Sequence, residues 1–150
     1  MVESNQIQEI SDRLEIEDLL VRYCTAIDTK KFDDLNSVFT PDAHIDYTSA
    51  GGVKGAFPEV KQWLSEVLAM FPMTQHSVTN FAIKVEGDRA TSRCSFYNPM
   101  GVPLSEGEEG LKLYFFGGYY NDTLIRTGDG WRISQRIEES IWNDGRPGQD

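Results

Sequence analysis

Residue patterning predicts an α+β fold in which helices come first and an antiparallel meander of strands follows. Three observations carry this. Up to about Pro72 the apolar residues recur at helical spacings, and beyond it they alternate with a period of two. Gly87-Asp88 and Gly128-Asp129-Gly130 punctuate the second half at hairpin positions. No internal repeat and no linker divides the 150 residues, so the chain reads as one domain, residues 1–150. Helices followed by strands argue for a sheet that wraps the long helices and leaves a cavity between the two layers.

The first helix is placed at about residues 8–28, with Ser11 and the acids Asp12 and Glu15 near its start. Ile16, Leu20, Tyr23 and Ile27 form its apolar stripe. A second short helix over about 31–39 turns Phe32, Leu35, Val38 and Phe39 inward, and Thr40-Pro41-Asp42 stops it. Residues 44–48 alternate, which puts Ile45 and Tyr47 on one face of a strand. Gly51, Gly52 and Gly55 make a flexible connector. Pro58 opens a third helix, about 57–71, whose buried face is Val60, Trp63, Leu64, Val67, Leu68 and Phe71. Strands are then expected over 75–85, 90–98, 111–127 and 131–138. Residues 99–110 read as a polar loop and 143–150 as a loose tail.

Fourteen Lys and Arg against 24 Asp and Glu leave a formal charge of -10. Such a surface repels phosphate backbones and anionic lipid, so no nucleic-acid or membrane partner is expected. The two cysteines, Cys24 and Cys94, fall among apolar neighbours and read as buried free thiols. The first ten residues lack a basic start followed by an apolar run, and no window holds 18 apolar residues. Together these features lead to the expectation of a cytoplasmic protein.

Few residues could carry chemistry. The sequence has only two histidines, His44 and His76. On a regular strand His76 shares a face with Val78, Asn80 and Ala82, while Phe81, Ile83 and Val85 take the other. Asp28 ends an apolar helix face, at the end of the helix dipole that disfavours an acid, so it caps a turn or serves a partner. Tyr23 and Tyr47 sit on apolar faces and need partners for their hydroxyls. Asn98, Tyr114 and Tyr120 are further candidates to face a cavity. Tyr114, Phe116, Gly118 and Tyr120 share one parity of the long strand, and Leu113, Phe115, Gly117 and Tyr119 share the other. Both sets are aromatic, so the pattern leaves open which face is concave. There is no Gly-rich phosphate loop, no His-Glu-x-x-His pair and no Gly-x-Ser-x-Gly elbow. No cofactor and no metal are therefore expected, and acid–base chemistry on a small apolar or aromatic molecule is what remains.

Three stretches carry a family likeness. Residues 27–35, the strand Ile45-Asp46-Tyr47 and Thr74-Gln75-His76 resemble scytalone dehydratase and the wider SnoaL-like group of the nuclear transport factor 2 superfamily. The likeness covers about residues 8–142. It implies a cone: a bent antiparallel sheet covered by three helices, the cystatin-like architecture. It implies an acid–base pair at Asp28 and His76, with Tyr47 as a pocket tyrosine. Ile27 replaces the tyrosine that scytalone dehydratase has directly before its Asp. A second family histidine falls near Met100, and a pocket asparagine falls near Tyr120. The bile-acid dehydratases of the superfamily match differently, with a tyrosine five residues before the Asp, as Tyr23 stands before Asp28. The expected catalytic set is thus Asp28, His76, Tyr47 and Tyr23, with Asn98, Tyr120, Phe96 and Met100 binding substrate.

This set suits an elimination. An imidazole titrates near neutrality and can serve as base. A carboxylate on its other nitrogen fixes the tautomer, and a tyrosine hydroxyl can hold a developing enolate. The first expectation is a dehydratase acting on a cyclic or aromatic hydroxy-ketone. An isomerase or cyclase that moves a proton with the same base is the alternative, and a non-catalytic binding domain is the third reading. The resemblance also implies a homodimer or higher homo-oligomer through sheet-to-sheet packing. Trp131 and the aromatic strand at 111–120 are expected to supply the apolar surface.

Overall fold

A computed structural model describes residues 2–149; Met1 and Asp150, the ends of the expected 1–150 unit, lie outside the described residues. Helix α1 runs Val2–Asp28. It starts well before Ser11, because no Gly or Pro interrupts the first turns. Ile16, Leu19, Leu20, Tyr23 and Ile27 are all buried, so the stripe read from spacing is the packed face. Phe32–Ser37 forms a short 3-10 helix of two turns, shorter than the expected helix over 31–39. Phe39 already belongs to strand β1, Phe39–Asp46. Strand β2, Lys54–Ala56, leads into helix α2, Phe57–Val67, and a 3-10 turn at Leu68–Met70 finishes it. Phe57, Val60 and Leu64 are its buried face.

The remaining strands are β3 (Met73–Thr74), β4 (Ser77–Glu86), β5 (Arg89–Pro103), β6 (Leu111–Thr127) and β7 (Gly130–Asp144). The expected strand over 75–85 is thus two pieces separated at Gln75 and His76. Strand β5 stays paired with β6 from Arg89 opposite Ile125 to Pro103 opposite Leu111. The polar loop expected at 99–110 therefore shrinks to residues 104–110. Strand β7 extends past the expected end at 138 because β6 remains its partner as far as Phe115 opposite Asp144.

The sheet order is β2-β1-β7-β6-β5-β3, with β4 also paired to β5. It is mixed rather than wholly antiparallel, since β1 runs parallel to β7. The long connection between them, through β2, α2 and four further strands, lets the chain return in the same direction. Pro41 falls where that pairing slips, between Phe39 and His44, as expected for a residue with no N–H to give.

Two bulges set the inner face. Asn80 adopts a left-handed conformation, φ 55°, where the β4–β5 pairing slips between Thr79 and Ala82. Val78 therefore lies opposite Phe96, Ile83 opposite Ser92 and Val85 opposite Ala90, all towards the core. The expectation that Asn80 and Ala82 share the face of His76 fails, because one extra residue reverses the alternation. A second slip, between Thr123 and Leu124, moves β7 by one residue against β6.

Trp131 is 0% exposed, so it supplies no surface for a partner. Its indole N–H donates to Asp12 Oδ1 at 3.1 Å. Arg126 grips the same carboxylate at 2.7 and 2.9 Å, and this contact holds Asp12 down to a pKa of about 2. The cluster pins α1 to the β6–β7 hairpin. The outer face of the sheet exposes Tyr97, Leu113, Ile141 and Trp142. Cys24 and Cys94 are buried free thiols, pushed by burial to about 12 and about 11. No described helix is long and apolar enough to cross a membrane.

Candidate active site

The end of α1 positions the acid. Lys30 is left-handed at φ 58°, Lys31 N–H donates to Ala26 O at 3.0 Å, and Lys30 N–H donates to Ile27 O at 3.1 Å. This is a Schellman closure, and it places Asp28 in the last helical turn, facing the β3–β4 corner. There the carboxylate accepts three hydrogen bonds: the Thr74 hydroxyl at 3.0 Å, the His76 backbone N–H at 2.8 Å and His76 Nδ1 at 2.7 Å. Lys30 Nζ donates to Thr74 from the other side, at 3.2 Å. The dipole cost of an acid at this end is offset by these donors.

A carboxylate only accepts, so Nδ1 carries the hydrogen, and in the neutral imidazole Nε2 has the lone pair. The His76 side chain is 5% exposed and Asp28 is 23% exposed. His76 lines a cavity of about 370 Å³ between the sheet and the helices, whereas Asp28 stands outside its wall. Tyr23 and Asp28 point in different directions on one helix, about 140° apart at ~3.6 residues per turn. The histidine bridges them: Asp28 orients its ring from behind, and Tyr23 meets the ring edge-on, at 6.5 Å between centroids.

Behind the tyrosines of the cavity wall lies a buried charge. Arg136 is 0% exposed and pairs with Asp122 through Nε and Nη2, each at 2.8 Å. Its guanidinium lies 4.1 Å from the ring centres of both Tyr23 and Tyr120. The hydroxyls of Tyr23 and Tyr47 are 2.8 Å apart. Burial raises both phenols, Tyr47 to about 12 and Tyr23 well above its ordinary value, so both remain protonated donors. Glu138, opposite Tyr120 in the β6–β7 register, also lines the cavity. Burial pushes its carboxyl up to about 7, against the pull of Arg136.

Tyr23, Tyr47, His76, Phe96, Asn98, Met100 and Tyr120, seven of the expected residues, all line this one cavity. Phe96 stacks on Tyr120 at 4.6 Å, and Asn98 Nδ2 donates to the Tyr120 hydroxyl at 3.3 Å. Asn98 Oδ1 is buried without a hydrogen-bond partner. The inner face is thus that of Phe116 and Tyr120. Tyr114 is buried but does not line the cavity, and His44 is exposed. Trp63, Leu64, Val67, Leu68 and Phe71 make the apolar roof. Sequence reasoning missed Arg136, Asp122 and Glu138. Two opposite charges on facing apolar strands were the available signal, but a regular hairpin would set Asp122 opposite Gln135 instead. Among the described residues no cluster of three His, Cys, Asp or Glu side chains could hold a metal ion.

A curved mixed sheet closed by helices over a pocket is the nuclear transport factor 2-like fold. The chain belongs to the SnoaL-like domain family, whose model matches residues 8–137. It is 51% identical over 132 residues to an uncharacterized protein of Mycobacterium tuberculosis, covering 88% of this chain and 87% of that one. Among solved structures, a Kribbella flavida protein is similar at 26% identity and TM-score 0.82, covering 91% of this chain and 95% of that one. A candidate scytalone dehydratase of Novosphingobium aromaticivorans shares the fold at 20% identity and TM-score 0.78, covering 97% of this chain and 92% of that one.

Proposed function

We propose that this protein is a lyase that removes water from a small cyclic or aromatic hydroxy-ketone, using its own side chains as acid and base. The observation that carries this is the Asp28–His76 contact of 2.7 Å on the wall of a mostly apolar cavity. It leaves Nε2 as the proton acceptor in the cavity that the paired hydroxyls of Tyr23 and Tyr47 also line. In this reading the carbonyl oxygen of the substrate rests on a tyrosine hydroxyl. His76 Nε2 takes the α-proton, and the enolate charge is held by the phenol. Asp28 stabilises the imidazolium that forms. Apolar walls at Phe96, Met100, Phe116 and Leu68 suit a flat ring, and the Novosphingobium protein bears the name of a scytalone dehydratase.

The test begins with the proton. β-Tetralone and related cyclic aromatic ketones are incubated with the protein in D2O, and α-deuterium uptake is followed by NMR. Wild type accelerates exchange over buffer, and His76→Ala loses roughly 10²-fold or more. No acceleration by the wild type, or an unchanged rate in His76→Ala, overturns the reading.

A further inference from the structure

The lyase reading supplies a base and an enolate donor, but a hydroxide that departs from carbon also needs a proton. One cavity residue has the chemistry for it. Glu138 reaches the inner face only because β7 slips by one residue against β6, which brings Arg136 and Glu138 inward together. Its carboxyl has no hydrogen bond and no ion pair among the described residues. Arg136 is two residues away on the same strand, but Asp122 engages its guanidinium through two hydrogen bonds. The other groups near the carboxyl are Asp46 from β1, which repels a second negative charge, and the neutral hydroxyls of Tyr47 and Tyr120. Arg146 lines the cavity from the C-terminal segment. A poorly solvated carboxyl whose neighbouring arginine is engaged by another acid holds its proton up to about pH 7. His76 stands on the far side of β5 and β6, so the two groups hold opposite walls of one cavity.

We propose that Glu138 is the proton donor of this site, handing its carboxyl hydrogen to the substrate oxygen that leaves as water. This rests on the lyase reading and completes it. His76 Nε2 takes the α-hydrogen, and the C–H electron pair becomes the enolate. The enolate then re-forms the carbonyl, a double bond forms between the α and β carbons, and the β C–O bond breaks with its electrons on oxygen. That oxygen takes the Glu138 proton and leaves as water. Glu138, now a carboxylate, recovers a proton through solvent as the His76 imidazolium releases one, so the net change is hydroxy-ketone to enone plus water. The assignment also sets specificity: a leaving group that departs readily as an anion does not need Glu138.

Two measurements test it. Difference infrared spectra of wild type against Glu138→Gln, taken near pH 6, show the carbonyl stretch of a neutral carboxylic acid, and it fades as the pH is raised through about 7. Absence of that band overturns the assignment. In the second, the aldol adduct of acetone and benzaldehyde is the hydroxyl substrate and its acetate ester the control. Glu138→Gln loses roughly 10²-fold in dehydration of the adduct. Its losses in α-deuterium exchange and in elimination of acetate are at least tenfold smaller than its loss in dehydration. Equal losses on both substrates, or undiminished dehydration, overturn the role of Glu138 and leave the lyase reading standing. Absence of α-exchange in the wild type sinks the lyase reading itself, whatever the infrared band shows.

Discussion

Replacing Glu138 by Gln changes the pH dependence of stability in a direction that the structure dictates. A carboxyl raised from 4.5 to about 7 on folding binds its proton more tightly in the folded chain than in the unfolded one. Stability from this group is therefore full below the unfolded pKa, declines as pH rises, and is gone above the folded pKa. At about 1.4 kcal/mol per tenfold change, the whole loss is about 3 kcal/mol, a ceiling that water entering the cavity lowers. Gln keeps the shape and has no proton to lose. The variant should match wild type near pH 4.5 and exceed it near pH 8 by up to about 3 kcal/mol, or roughly 6–12 °C in Tm for a chain of this length. Urea titrations followed by tryptophan fluorescence at several pH values measure the difference directly. Wild-type and variant curves that run parallel from pH 4.5 to 8 would refute the argument, because they would mean that the carboxyl is solvated.

Other consequences are testable by single substitutions. Asp28→Asn should lower α-proton exchange by roughly 10²-fold while the fold survives, since the amide can no longer accept from Nδ1 as an ion; near-normal exchange would count against the pair. Gly118→Ala drives a methyl into the Glu139 carbonyl oxygen and to 2.9 Å from the Phe96 ring. It should cost about 1–3 kcal/mol in denaturant titrations and weaken binding of aromatic ketones. Asp12→Asn removes the carboxylate that holds Arg126 and Trp131. It should cost about 1.5–3 kcal/mol at neutral pH. The depressed pKa of Asp12 means that wild type loses this contribution as pH falls from about 4 to about 2, whereas the variant has none to lose there. An acid-unfolding profile compares the two.

Much of the scaffold is written in local patterns. The buried stripe of α1, Ile16, Leu20, Tyr23 and Ile27, follows from helical spacing. The even-numbered inner face of β5, from Ala90 to Asn98, follows from strict alternation over an unbroken pairing with β6. Asp28 was legible because an acid in that turn invites a partner, and His76 supplies it. The rest lies in contacts between strands. Trp131 looked like surplus aromatic surface until Asp12, over a hundred residues earlier, gave its indole a buried partner. The parallel pairing of β1 with β7 joins two segments that carry no mark of each other. The parity of β4 and β7 changes at bulges near Asn80 and Ser134, and these decide that Ile83, Val85, Arg136 and Glu138 face inward. A one-residue slip costs little local energy but turns every later side chain to the opposite face. Whether it occurs depends on the neighbouring strand and the core it must cover, so sequence alone marked most of the elements and the Asp28–His76 contact, while the tertiary structure decided that Glu138 lines the cavity and that Arg136 lies buried behind it.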